Sequence, residues 1–444
     1  MKVGKEKGEP VQPMDTTKRT KMEDDPSRRL TLLFIATAGL LAFFGTTVGA
    51  IMLASLSGVP VVLGLTLFLS HPYVQIFGFL MEFVFGVAFS LLPRFKGIRA
   101  TRLWTNLGYF SYCIATTANV MFIVSAVQLI PKESWFLDVL GAALIFLSAA
   151  IFFCLTSFLA LNPKGGFHEA NPLIFVSGLS LLLVSALLLV NQSNSNYDVF
   201  TLQMVFLALL GFVGSMIYGV EIRAVVLRQS NYRKRWARVS GAMQFSAVLV
   251  AFASALNPSY LLFLSTLGAV LFLAAAAALV LSIRSFEFAR SLMNIQAMTK
   301  PHYRIVQYNE VYIASGSIWL LLGCGLGIVA AGLGRGDPFV VWDSFIHSVA
   351  IGFIGSTVAC FAPMFLPAIL GGKSPSSTGL SLGPLIVLNA GLIIRVVGGL
   401  TSLFGTRMLP LWESLSGPLI LAAMIWFVLM FRNLGRSRKQ LPII

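Results

Sequence analysis

The 444-residue chain is 57% hydrophobic and only 11% charged, and its formal net charge is +15 at pH 7. A soluble protein carries about twice that charged fraction, and a mean hydropathy of +0.84 is typical of membrane proteins. Apolar runs of about 20 residues recur along nearly the whole chain, and each is long enough to cross a bilayer as a helix. We therefore predict an all-α, polytopic membrane protein in contact with the lipid bilayer.

Twelve transmembrane helices are predicted, in a single domain over residues 30–432. Residues 1–29 and 433–444 are basic tails, and the first should be disordered because it has few apolar residues. The first span should be retained as an anchor, because its apolar run is too long for a signal peptide and lacks a small-residue cleavage site. The predicted spans are 30–56, 69–93, 103–129, 135–160, 171–191, 199–225, 238–256, 258–283, 309–333, 338–366, 379–405 and 410–431.

Lys and Arg are distributed unequally between the two sides of these spans. With the N-terminus inside, 28 of the 32 basic residues fall in inner loops and tails; only Lys132, Arg335 and Arg407 fall outside, and Arg395 lies within a span. Because positive charge is retained on the cytoplasmic side, we predict a cell-membrane protein with both termini in the cytoplasm. The basic charge then reflects topology and anionic lipid at the inner face, and it does not indicate binding to nucleic acid.

Ionisable side chains deep in a span cost a few kcal/mol, so each needs a partner or a function. The candidates are His71, Glu82, Asp343, His347 and Arg395. Three further acids lie near span ends, where they can reach the interface: Glu221, Glu310 and Glu413. The remaining histidines, His168 and His302, lie in inner loops and are expected to be solvated.

His71 and His347 are expected at one depth. Span 10 enters from the outside, and His347 follows Pro338 by nine residues, which places it roughly 10–14 Å below the outer boundary. His71 reaches a similar depth if part of 61–70 is buried. Two imidazoles at one level suit the two axial positions of one haem. The alternative is that each histidine only hydrogen-bonds a neighbouring carbonyl, with Asp343 one turn before His347 as a local partner.

The twelve-span pattern with histidines in spans 2 and 10 resembles the catalytic subunit of haem–copper oxidases, in which these spans hold the low-spin haem. The stretch HPYVQIFGF, 71–79, resembles more closely the histidine–x–histidine–x–x–x–Phe-Gly-Phe signature of the NnrS family, with Tyr73 in place of the second histidine. His347 opens a segment similar to the family's His-x4-Gly-x2-Gly, although Pro363 and Pro367 replace the Arg and Leu-Gly-His of the family. The stretch GFVGSMIYGVEIR, 211–223, is similar to the sixth span of such proteins.

The resemblance implies a bis-His low-spin haem b with His71 and His347 as ligands, and a role in electron transfer or in the response to redox state or nitric oxide. A redox partner protein or other membrane subunits would then be expected. Haem–copper oxidases bind copper through histidines of spans 6 and 7, and the same spans contain none here. We therefore expect neither a catalytic copper site nor oxygen reduction by that mechanism, and catalytic residues remain unassigned.

Two further side chains have alternative interpretations. Arg395, sixteen residues after Gly379 in span 11, also lies in the outer half. It either pairs with the haem propionates or forms an ion pair with Asp343, and the two are compatible. Glu82, eleven residues after His71, is expected on nearly the same helix face and about 16 Å deeper, as a proton-path carboxylate or as a protonated, hydrogen-bonded side chain.

The rival function is that of a twelve-span secondary transporter of a small solute, without haem. The stretch CFAPMFLPAILGG, 360–372, would then mark a discontinuous helix near the substrate site.

Overall fold

A computed structural model shows a bundle of membrane-spanning helices. It describes residues 26–59, 70–98, 101–127, 134–162, 169–193, 201–228, 232–286, 301–333, 339–370, 380–402 and 411–432. Within these ranges the chain forms helices and short turns, with no strand. Twelve of the helices are long and apolar enough to cross a membrane. The predicted twelve-span, all-α architecture is thereby confirmed.

The helices are numbered α1 to α12 in chain order. The first six are α1 Pro26–Leu56, α2 Ser70–Phe95, α3 Arg102–Ala126, α4 Ser134–Leu161, α5 Asn171–Ser193 and α6 Leu202–Arg223. The last six are α7 Lys234–Leu256, α8 Leu261–Ile283, α9 Pro301–Leu333, α10 Phe339–Leu370, α11 Gly383–Ser402 and α12 Ser416–Arg432. A 3-10 turn, Leu411–Leu415, leads into α12.

The start of the first helix differs slightly from the prediction. Helix α1 begins at Pro26, inside the tail predicted for 1–29, because proline fits the first turn of a helix, where its missing N–H costs nothing. Residues 1–25 and 433–444, which include most of the first predicted tail and all of the second, lie outside the described residues.

The twelve helices repeat a four-helix arrangement three times, as α1–α4, α5–α8 and α9–α12. In each group the first helix packs on the second and the third on the fourth; α4 packs on α5, α8 on α9, and α12 returns to α1. The second helix of each group is central: 83%, 89% and 67% of the most apolar stretches of α2, α6 and α10 are buried, against 61% for the next, α5. The bundle is therefore a closed threefold repeat.

Each central helix contains a π-helical segment. These segments are Val74–Leu80 in α2, Phe206–Gly214 in α6 and Ser348–Gly355 in α10. Each contains a Gly-Phe pair, and the sequence GFVGS at 211–215 is nearly repeated as GFIGS at 352–356. A π-helix interrupts the regular backbone hydrogen bonding, and inside a membrane the affected groups need partners from the protein.

An amide side chain of α3 supplies such a partner in the first repeat. Asn119 Nδ2 lies 3.2 Å from the carbonyl oxygen of Phe77, within the π-helical segment of α2. The same nitrogen lies 3.1 Å from Glu82 Oε1. Asn119 is 1% exposed, so these bonds are shielded from water and link α3 firmly to α2.

An amide side chain of α7 does the same in the second repeat. Gln244 Nε2 lies 2.6 Å from the carbonyl oxygen of Leu210 and 3.0 Å from Ser215 Oγ. Leu210 directly precedes the glycine of its Gly-Phe pair, and Ser215 follows that glycine by four residues. The partners of Asn119 occupy the corresponding positions in α2. Glu82 and Ser215 are therefore equivalent positions of the repeat.

Candidate functional site

His71 is held against α1 at the start of α2. Its Nδ1 lies 2.8 Å from the carbonyl oxygen of Gly45, so Nδ1–H donates and the neutral ring has its lone pair on Nε2. The ring also packs on Gly49, where an added Cβ would lie 2.6 Å from His71 Cε1. Among the described residues, Nε2 has no hydrogen-bond partner. Helix α1 thus fixes the ring and leaves one nitrogen available.

His347 is held in the same way from within its own helix. It directly precedes the π-helical segment of α10, and its Nδ1 lies 2.8 Å from the backbone oxygen of Asp343 and 3.2 Å from Asp343 Oδ1. Its Nε2 likewise has no partner in the part of the chain that the structure describes. Histidines that bind metals usually donate the other ring N–H to a carbonyl or carboxylate, which orients the ring. Both histidines show this arrangement.

Asp343 is in turn fixed by α11. Arg395 donates from Nε to Asp343 Oδ2 at 2.8 Å and from Nη2 to Asp343 Oδ1 at 2.7 Å. Arg395 is 5% exposed, so this is a bidentate pair shielded from water, the strong form of a carboxylate–guanidinium contact. Arg395 thus forms the ion pair with Asp343 that was one of its two interpretations. This pair orients the carboxylate of Asp343, which contacts His347.

The structure brings these residues together from three helices. His71 of α2 lies within electrostatic range of His347 and Asp343 of α10 and of Arg395 of α11. His347 lies eight residues after Phe339, where this helix begins, which corresponds to roughly 12 Å along the axis. The cluster therefore lies in one half of the bundle, towards the side where α1 and α11 end and α10 begins.

Glu413 is a member of the cluster that the sequence did not reveal. It is 1% exposed, and neither carboxylate oxygen has a hydrogen-bond partner among the described residues. Its Oε2 lies over Gly398 of α11, where an added Cβ would be 2.6 Å away. It is within electrostatic range of Arg395 and Asp343. The sequence predicts that Glu413 reaches the membrane interface, because it lies near a span end. The only sequence signal for its burial is that this acid directly adjoins an apolar run.

Two residues considered from the sequence lie elsewhere. The expectation that Glu82 shares a helix face with His71 is wrong, because the π-helical segment between them changes the number of residues per turn. Glu82 contacts Thr116 and Asn119 on α3, whereas His71 contacts α1.

Tyr73 occupies the position of the second histidine of the NnrS signature. Its side chain contacts α3 and α5, away from the histidine cluster. Its hydroxyl accepts from Gln192 Nε2 of α5 at 2.8 Å, and its ring stacks on Phe122 of α3. His168 lies outside the described residues, and only the backbone of His302 is described.

Within the described ranges, no group of three or more His, Cys, Asp or Glu side chains could hold a metal ion. Two imidazoles alone leave most coordination positions of iron open, and a haem fills four of them with its own nitrogens. The donor set of His71 and His347, each with Nε2 available, therefore fits a haem better than a bare ion.

Comparisons with known proteins place the chain by family only. A family model described as "Domain of unknown function (DUF8744)" matches residues 40–434. No curated protein matches the chain.

Proposed function

The chain belongs to the DUF8744 family, and we propose that it is a membrane haem protein in which His71 and His347 would hold one haem b. Such a haem carries out one-electron oxidation and reduction. The protein then serves electron transfer, or the sensing of redox state or nitric oxide, and exchanges electrons with a redox partner protein or another membrane subunit.

One observation carries the proposal, namely that both histidines use Nδ1 for a structural hydrogen bond. The acceptors are the carbonyl oxygen of Gly45 for His71, and the oxygens of Asp343 for His347. This bonding supports Nε2 of each ring as the nitrogen that carries a lone pair for iron. The two histidines lie within electrostatic range of one another, and this supports a shared ligand.

The residues around the histidines have defined roles in this proposal. Gly49 allows α1 to approach the ring of His71, and Arg395 orients Asp343 against His347. Hydrogen bonding from His347 to a carboxylate makes the imidazole a stronger donor to iron. Arg395 also places a positive charge near the site, where it can pair with a propionate at its remaining nitrogen, Nη1.

The orientation in the cell membrane is part of the proposal. The charge distribution supports cytoplasmic termini, because 28 of the 32 Lys and Arg residues then lie inside. In that orientation the histidine cluster is in the outer half of the membrane, and electrons are exchanged nearer the outer face.

The ligand assignment is tested on protein purified in detergent. We expect a sharp absorption band of reduced low-spin haem, and we expect His71→Ala and His347→Ala each to remove it or convert it to a high-spin form. His168→Ala and His302→Ala are the controls and should leave the band intact. Equal loss in all four variants would indicate misfolding, and an unchanged band in both axial variants would refute the assignment.

The transporter alternative is less well supported. The helix from Ser356 to Leu370 runs through Pro363 and Pro367 without a break, so the expected discontinuous helix is absent from this part of α10. The bundle also repeats three times, whereas many transporters consist of two related halves. A colourless purified protein that folds and binds no haem would nevertheless favour the transporter.

A further inference from the structure

Glu413 is a buried acid with no hydrogen-bonded or ion-paired partner of its own among the described residues. Its exposure is 1%, and both carboxylate oxygens are buried without a hydrogen-bond partner among the described residues. Arg395, the cation among the described residues that acts electrostatically on Glu413, already uses Nε and Nη2 for Asp343. The charges of Arg395 and Asp343 cancel, so an ionised Glu413 would add one net negative charge to the cluster.

The helices packed around Glu413 contribute few other charges. Its 3-10 turn packs on α1, α11 and α12. Helix α11 contributes Arg395, residues 416–430 of α12 contain no titratable group, and α1 has only Arg28 and Arg29 at its opposite end. From α10 the facing acid is Asp343, with His347 one turn further into the bundle. Arg407 lies in 403–410, outside the described residues.

The position of Glu413 suits exchange with water. It lies two residues after Leu411, where the last span begins, whereas His347 lies eight residues into its helix. Glu413 is therefore nearer the end of its span than His347 is, and the Arg395–Asp343 pair acts electrostatically on both Glu413 and His71. A carboxyl group near the end of a span senses the charge of the site, because screening by water is weak for buried groups.

We propose that Glu413 takes up one proton from water whenever the histidine site gains one electron. The reaction is balanced in charge. A one-electron donor transfers one electron to the histidine site, which lowers the charge of the site by one, and one proton from water binds a carboxylate oxygen of Glu413. The net charge of the buried cluster then stays constant. This inference rests on the proposed haem site, and it adds coupling of electron transfer to proton uptake.

The test is a redox titration of the purified holoprotein over a range of pH. Wild type should show a midpoint potential that falls as pH rises, up to a tenfold change in equilibrium per pH unit, which is about 59 mV for one electron. In Glu413→Gln this dependence should disappear over the same range. Glu82→Gln is the matched control, since Glu82 is also a buried acid but contacts α3, and it should keep the wild-type slope.

Further variants keep the test decisive. If Glu413→Gln does not fold, Glu413→Asp retains the acid and should keep a pH-dependent potential, and redox-difference infrared spectra should show a carboxyl band that moves in this variant. A pH-independent wild type, or equal slopes in wild type and Glu413→Gln, would overturn the inference. A midpoint potential that depends on pH in Arg407→Gln but not in wild type would overturn the inference too. Glu413 would then stay ionised in wild type because of the charge of Arg407. Absence of any redox couple would overturn the proposed function itself.

Discussion

Replacing Gly49 by alanine tests whether the ring of His71 is a ligand fixed by α1. The added Cβ would lie 2.6 Å from Cε1, whereas ordinary contact begins at 3.4 Å, so the ring or the helix must move by about 0.8 Å. The ring cannot rotate freely, because its Nδ1 is hydrogen-bonded to the carbonyl oxygen of Gly45, which lies one turn before Gly49 on α1. Overpacking of this kind costs about 1–3 kcal/mol.

That energy should appear as a weaker bond between His71 and iron. A cost of about 1–3 kcal/mol corresponds to a loss of about 5- to 150-fold in the equilibrium for ligation. We therefore expect Gly49→Ala to retain haem through His347 while part of it changes from low-spin to high-spin. Absorption and electron paramagnetic resonance spectra of the purified variant measure this fraction.

Gly39→Ala is the matched control, because Gly39 lies on the same helix and an added Cβ would meet nothing within 4 Å. It should leave the spectrum unchanged and stabilise the helix slightly, since alanine is preferred over glycine by up to about 1 kcal/mol. If Gly49→Ala has the same spectrum as Gly39→Ala, the ring of His71 is not a constrained ligand, and the reasoning fails.

Two more predictions concern the ion pair and the orientation. Arg395→Gln leaves the carboxylate of Asp343 buried and without its cation, so thermal unfolding should show a loss of about 3–5 kcal/mol in the free energy of unfolding. The double variant, Arg395→Gln with Asp343→Asn, should recover most of that stability. A double variant no more stable than the single one would contradict the pairing. Reporter tags at the N-terminus, at Lys164, at Arg233 and at the C-terminus should all report the cytoplasm; an external signal from any of them would refute the proposed orientation.

The sequence was sufficient for the number of spans because each span is a long apolar run, and such runs are visible without tertiary information. The π-helical segments were not predictable. Their stability depends on hydrogen bonds from other helices, such as that from Gln244 to the carbonyl oxygen of Leu210. The threefold repeat did leave a trace, the near identity of GFVGS at 211–215 and GFIGS at 352–356.

The main members of the candidate site could be named from the sequence because ionisable residues are rare in spans. Their expected depth in the membrane came from counting residues along each helix, and it stays a prediction. The direction of each side chain did not, since one π-helical segment was enough to turn Glu82 away from His71. Glu413 was missed because residue counting places it at a span end, while its burial comes from packing over Gly398.

The third repeat departs from the other two at the site, and this departure bears on function. In the first two repeats an amide of the third helix bonds the π-helical segment of the second helix. In the third repeat the amide of α11, Asn389, instead accepts from Ser315 and Trp319 of α9. The ion pair of Arg395 with Asp343 now connects α11 to α10.

The two histidines are not equivalent positions of this repeat. His71 precedes the glycine of its Gly-Phe pair by seven residues, and His347 precedes its own by five. In α6 the matching positions are Met204 and Phe206, both apolar. Duplication of one helix sequence therefore does not explain why this cluster has two imidazoles. Each was placed separately, in a different repeat and with a different acceptor for Nδ1, and what the two positions share is an available Nε2 in one cluster. This convergence is easier to explain by a ligand that requires both nitrogens than by helix packing alone.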